Sequence, residues 1–272
     1  MRILALKIYT DTLKAYREGV PRLLDTLNEA GVEGSFFFGM GSEWSGSAIS
    51  KLFGEGREIV ASAPGIIRDA ARRGQDCGIY GWNPMEWQSR LDKMKDTTID
   101  SDIKRAVEYF VRRTGVRPNG FAAPGYRVSY ISLRIQDDIR FGYCSDTFGF
   151  YPFFPKMSWK TFNTPQIPST IPPVEAVLQR VTGQVARERL SALEEGLPDG
   201  LSVLPMNSIV ATEDEIFAPL REFILRCSEN GVRFMNLDRV VKSLDIGSLH
   251  SCEVTMTRAF GMPREVAVQN PE

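Results

Sequence analysis

The sequence predicts an α/β protein with a parallel sheet closed into a barrel. Short apolar runs alternate with amphipathic ones along almost the whole chain. Helix start and stop residues bracket the amphipathic runs, and about seven such strand–helix units fit a barrel better than an open sheet.

The elements follow in order. "ILALKIY" (3–9) is the first core strand. "EGVPRLLDTLNEAG" (18–31) is an amphipathic helix that stops at Gly31. "GSFFFG" (34–39) is a short buried strand, and "APGIIRDAARRG" (63–74) opens on proline and closes on glycine, as helices do. "CGIYGW" (77–82) is the next strand. In "TIDSDIKRAVEYFVRRTG" (98–115), Ile99, Ile103, Val107, Phe110 and Val111 share one helical face. A strand and turn at 120–127, the helix "SYISLRIQD" and the strand "FGYCSDTF" (141–148) follow. Residues 149–173 are rich in aromatics and prolines, and a loop of that length reads as one wall of a pocket or as edge strands packed on the core. Two helices, the strand "GLSVLPM" (200–206), the helix 213–231, "VRFMNL" and "DRVVKSL" complete a single domain over residues 1–247. Residues 248–272 lose periodicity and read as a surface tail.

Composition excludes several function classes. Lysine plus arginine (33) nearly balance aspartate plus glutamate (34), which argues against a nucleic-acid surface. No run approaches the ~18 apolar residues of a membrane span. The four cysteines lack CxxC spacing, so neither a zinc knuckle nor a disulfide framework is indicated, and a cytoplasmic setting is the default expectation. The single histidine, His250, lies in a polar stretch near the C-terminus, which makes a His-based metal site or a triad hard to build.

In a barrel the site lies where strands end and βα loops begin. The residues to read are therefore Tyr9 and Asp11, Phe38 to Trp44, Tyr80 to Trp87, Pro124 to Arg127, Ser145 and Asp146, and Met206 to Ser208. There the chain resembles the NodB-type polysaccharide deacetylases, above all the branch that deformylates formamido-arabinose on phospho-undecaprenol. The resemblance runs from about Ile3 to Leu244 and rests on "KIYTDT", "REGVPRLLDTL", "GSFFF", "GIYGWNPMEWQSR", "AAPGYR", "YCSDT" and "PQIPSTIPP". It implies a distorted (β/α)7 barrel.

It also implies catalytic positions, most of them substituted. Tyr9 stands where the family has its aspartate base, and Asp11 matches a metal-ligand aspartate. The family's histidine pair falls on Tyr80 and Pro84, its late general-acid histidine on Met206, and the arginine that holds its base on Arg127. A catalytic zinc needs about three protein ligands, and Tyr, Pro and Met do not replace imidazoles. The expectation is a protein without a metal cofactor. The segment 39–65 is shorter than the apolar insertion of lipid-processing relatives, which favours a soluble small molecule over a polyprenyl-linked one.

The expected catalytic set is Asp11, Tyr9, Tyr80 and Arg127. Asp11 and Arg127 read either as a structural ion pair or as a base and an anion clamp. The two phenols read as packed aromatics or as proton donors. Trp82, Asn83, Glu86, Trp87, Tyr126, Asp146, Met206 and Asn207 are the expected ligand-facing residues, though core or rim packing accounts for some of them equally well. Three functions stay open: metal-independent acid–base chemistry such as cyclisation, isomerisation or elimination; an inactive module that binds a sugar-like ligand or a partner; and a hydrolase with a metal site rebuilt from Asp11, Glu86 and Asp146. A homo-oligomer is compatible with all three.

Overall fold

The structure is a computed structural model that describes residues 1–42 and 58–271. Strand β1 (Arg2–Thr10) is the centre of a parallel sheet, with β2 (Ser35–Phe38) on one side and β8 (Gly200–Asn207) on the other. The order runs β5 (Tyr143–Cys144), β4 (Gly120–Phe121), β3 (Asp76–Ile79), β2, β1, β8, and β9 (Arg233–Phe234) also pairs with β1. The sheet curls into a half-barrel rather than closing strand to strand. The extended segment 165–171 spans the gap: Cys144 N–H donates to the Pro165 carbonyl (2.9 Å) and Ile167 N–H to the Cys144 carbonyl (2.8 Å). At its other end Thr170 N–H donates to the Val203 carbonyl (3.2 Å). The proline-rich stretch is thus a stave of the barrel, irregular because proline cannot donate to a ladder.

Strand alternation divides the core into two. Leu4, Leu6 and Ile8 of β1 and Leu204 and Met206 of β8 face the helices. Ala5 and Tyr9, with Phe37, Tyr80, Ala122 and Val203, face the barrel interior. The helices are α1 (Val20–Ala30), α2 (Gly65–Arg72), α3 (Pro84–Arg90), α4 (Asp96–Thr114), α5 (Tyr130–Ile139), α6 (Val174–Leu178), α7 (Gly183–Glu195), α8 (Asp214–Glu229) and α9 (Leu237–Ser243). Helix α1 carries proline in its first turn and, as expected, ends on Gly31, whose φ of 64° is left-handed. A π-helical turn, Ala15–Gly19, precedes it and was not foreseen. No helix of the described residues is long and apolar enough to cross a membrane.

Residues 248–272, read from the sequence as a surface tail, carry regular structure of their own. Strands β10 (Ser251–Thr257) and β11 (Val266–Asn270) make an antiparallel hairpin, and β10 pairs with β6 (Phe154–Met157), itself paired with β7 (Lys160–Thr161). Phe148 N–H donates to the Ala267 carbonyl (2.9 Å) and Gln269 N–H returns to Phe148 (2.8 Å), which ties the hairpin to the barrel. Its strands are short, so their alternation is weak in the sequence.

The interior is polar in two layers. At the N-terminal end of the strands, Asp76 Oδ2 accepts from Tyr143 (2.5 Å) and Ser35 (2.7 Å). Gly120 makes room for that tyrosine, since a Cβ there would lie 2.5 Å from Tyr143 Cζ. One layer higher, Lys7 is 1% exposed; its ammonium donates to the Ser145 carbonyl (2.5 Å) and sits 4.1 Å from the centre of the Tyr126 ring. Asp146, also buried, accepts from Ala123 N–H (2.7 Å) and Gln166 Nε2 (3.0 Å). Burial pulls the Lys7 pKa down to about 7, against the attraction of Asp146, and lifts that of Asp146 to about 6.

Two outcomes follow. Gly120→Ala forces the Tyr143 ring away from Asp76 and should cost about 1–3 kcal/mol in urea unfolding. Lys7→Met strands the Asp146 carboxylate and should cost about 3–5 kcal/mol. Without its cation, Asp146 titrates higher still in the folded state, so the loss is largest above neutral pH and shrinks as acid protonates the carboxylate.

Candidate functional site

Asp11 follows β1 by one residue, so the alternation that turns Tyr9 inward also delivers the Asp11 carboxylate to the mouth of the half-barrel. In register with Tyr9 across the sheet stands Asn207, the last residue of β8. Asn207 Oδ1 accepts Ile209 N–H (2.9 Å), which leaves Nδ2 to donate to Asp11 Oδ1 (2.8 Å). The backbone N–H of the same asparagine donates to Glu175 Oε1 (2.6 Å), and the Tyr9 hydroxyl approaches that oxygen at 3.5 Å. One residue therefore holds two carboxylates. Among the described residues, Glu175 Oε2 is buried and has no hydrogen-bond partner.

Tyr80 follows β3, and its ring stacks on Tyr9 with centroids 5.1 Å apart. Its hydroxyl accepts Gly125 N–H (2.9 Å), leaving its own proton for an acceptor in the cleft. The cleft holds about 420 Å³, with Gln88, Tyr126, Pro173, Ile209 and Met262 completing its walls around these groups. A smaller cavity of about 70 Å³ on the other side of Asp11 is bordered by Asn83 and Glu86.

Burial governs the proton affinities. It raises the Asp11 carboxyl above its ordinary range, while hydrogen bonds from Asn207 and Gln88 pull it back. Glu175 is pushed up to about 7 by burial, with the Asp11 charge adding to the shift and the Asn207 N–H opposing it. Both phenols rise well above their usual value, chiefly through burial, so Tyr9 and Tyr80 remain protonated donors.

Other residues singled out from the sequence lie elsewhere. Arg127 does not meet Asp11; its guanidinium pairs with Asp92 (3.3 Å) and donates to the Gln88 carbonyl (3.1 Å). The left-handed pair Gly125 (φ 63°) and Tyr126 (φ 56°) explains this, because the turn sends Tyr126 into the barrel and Arg127 out of it. Trp87 is fully buried, packs on Phe121 and donates its indole N–H to the Arg127 carbonyl (2.9 Å). Trp82 stands edge-on to Tyr109 beneath the Arg105 guanidinium, 3.9 Å from its ring. Its loop is held by Asp102, which accepts the N–H groups of Trp82 (2.8 Å) and Asn83 (2.9 Å) and whose pKa burial lifts to about 6.

Met206 faces the helices, and its neighbour Asn207 takes the pocket position. A one-residue step on a strand changes the face. Asp146 belongs to the Lys7 layer below the cleft. Trp44 lies outside the described residues. Among those described, no three His, Cys, Asp or Glu side chains come together as a metal-holding group, so Asp11, Glu86 and Asp146 do not assemble. Sequence reasoning missed Glu175 and Gln88. The available signal for Glu175 was a carboxylate two residues after the "IPP" that ends the proline-rich wall.

Comparison with known proteins agrees with this architecture. The polysaccharide deacetylase family model matches residues 10–142. A protein of Shewanella sediminis, described as a 4-deoxy-4-formamido-L-arabinose-phosphoundecaprenol deformylase, is 26% identical over 269 residues, 89% of this chain and 86% of its own. A crystal structure from Mycobacterium smegmatis, described as a polysaccharide deacetylase, superposes with a TM-score of 0.71 at 18% identity, covering 95% of this chain and 94% of that one. A pseudoenzyme of the CE4 family from Bacillus anthracis gives 0.59 at 14% identity, covering 92% and 69%. The chain has the polysaccharide-deacetylase fold, a parallel sheet curled into a half-barrel, and its similarity to the polysaccharide deacetylase family model lies in residues 10–142.

Proposed function

We propose that this chain is a metal-independent enzyme built on the polysaccharide-deacetylase fold. It carries out acid–base chemistry such as isomerisation, cyclisation or elimination on a small, sugar-sized molecule. The observation that carries this reading is the pair of carboxylates held by Asn207, one through its side chain and one through its backbone. The groups at the family's metal positions argue the same way. Pro84 offers no ligand for a transition ion, the Tyr80 hydroxyl is engaged by Gly125, and Asp11 alone supplies too few donors.

The division of labour follows from environment. The Asn207 amide favours the charged form of Asp11, which suits it to take a proton from substrate. Glu175 keeps its proton up to about pH 7 and has an unpartnered oxygen, so it is the acid. Tyr80, with its proton free, and Tyr9 donate to negative charge that develops on a substrate oxygen.

A second reading, a ligand-binding pseudoenzyme, draws on the likeness in fold to the Bacillus anthracis pseudoenzyme. Turnover of sugar-sized substrates by chelator-treated protein separates the two. The enzyme reading expects a rate indifferent to chelator that Asp11→Asn and Glu175→Gln each lower by about 10²–10⁴-fold. A rate abolished by chelator and restored by zinc overturns it, and binding without turnover supports the pseudoenzyme. The pH profile is a further check: the rate climbs as Asp11 loses its proton and falls as Glu175 loses its own near pH 7. Glu175→Gln should abolish the alkaline fall.

A further inference from the structure

Arg127 opens onto a second cleft of about 460 Å³, lined by Lys93, Arg258 and Arg264 as well, with Asp92 and Glu265 the acidic residues on its walls. Arg127 already engages Asp92, and its Nε is buried without a partner. Among the described residues neither Lys93 nor Arg258 has a carboxylate within ion-pair distance. Arg264 donates to the Ser89 carbonyl, at 3.4 Å, and among the described residues it pairs with no carboxylate. In a chain of net charge −1, such a gathering of cations at one cleft calls for an anion.

This cleft shares its wall with the carboxylate cleft. Gln88 lines the first and Ser89 the second; Tyr126 the first and Arg127 the second; Met262 the first and Pro263 the second. The tip of the C-terminal hairpin forms part of that partition and is anchored there. Phe260 packs on Phe148 (4.4 Å between centroids), and Phe148 stacks on Tyr126 (4.0 Å). A carboxylate ligand needs one guanidinium fork, whereas three arginines and a lysine match the several oxygens and higher charge of a phosphate.

We propose that this second cleft is an anion subsite that seats the phosphate of a phosphorylated ligand, whose uncharged sugar-sized part enters the cleft of Asp11 and Glu175. This deepens the enzymatic reading above by adding a charged group to its substrate.

Calorimetric titration with ribose 5-phosphate and with ribose at low ionic strength tests the subsite directly. Co-sedimentation with phosphatidic acid vesicles, against phosphatidylcholine, asks whether the phosphate belongs to a lipid headgroup. Saturable binding of ribose 5-phosphate but not ribose is expected, weakened at least about tenfold in Arg258→Ala/Arg264→Ala and partly restored in Arg258→Lys/Arg264→Lys. Both arginines are exposed, so these variants should fold. Vesicle binding lost in the alanine pair, without ribose 5-phosphate binding, supports the subsite with a headgroup as its source. Absence of both, or binding that the alanine pair retains, overturns the proposal. Asp11→Asn and Glu175→Gln should keep phosphate affinity while losing turnover, so failure of the subsite and failure of the acid–base reading remain distinguishable.

Discussion

Parallel pairing of β1 with β8 sets Tyr9 opposite Asn207, and the geometry of the cleft descends from that register. Because side chains alternate along a strand, Tyr9 and Asp11 lie on the inner side, and Asn207 meets them from the neighbouring strand. Its amide reaches Asp11 while its backbone N–H reaches Glu175, a residue brought in by the short helix behind the proline-rich stave. A slip of one residue would present Met206 instead, whose side chain has no donor for Asp11.

Buried charge is the theme of the interior. Three inward charged groups are answered: Asp76 by Tyr143 and Ser35, Asp146 by Ala123 and Gln166, Lys7 by the Ser145 carbonyl and the face of Tyr126. Glu175 differs from these three, with one oxygen paired and the other bare. A bare buried oxygen costs free energy in the resting protein, and a ligand that supplied its partner would recover it. That cost sits beside the stacked phenols, on the wall of the cleft.

The C-terminal hairpin gives the fold a second consequence. Its strands belong to a small sheet outside the half-barrel, yet its turn, packed on Phe148, reaches back over the mouth and separates an acidic cleft from a basic one. The left-handed turn at Gly125 and Tyr126 does the same from the barrel side, assigning neighbouring residues to opposite clefts. Two local backbone features thus turn one broad opening into two compartments of opposite charge.

The amino-acid sequence by itself determined the α/β class, nearly all of the helices, and the placing of Tyr9, Asp11 and Tyr80 at the ends of their strands. Those follow from periodicity, punctuation by glycine and proline, and residue chemistry, all of which are local. Only the tertiary structure decided that the proline-rich segment is a stave, that Arg127 turns away from Asp11, that Trp82 and Trp87 belong to the core, and that Glu175 joins Asp11 at Asn207. Each depends on contacts between residues far apart in the chain or on a single positive φ, and local periodicity carries no record of either.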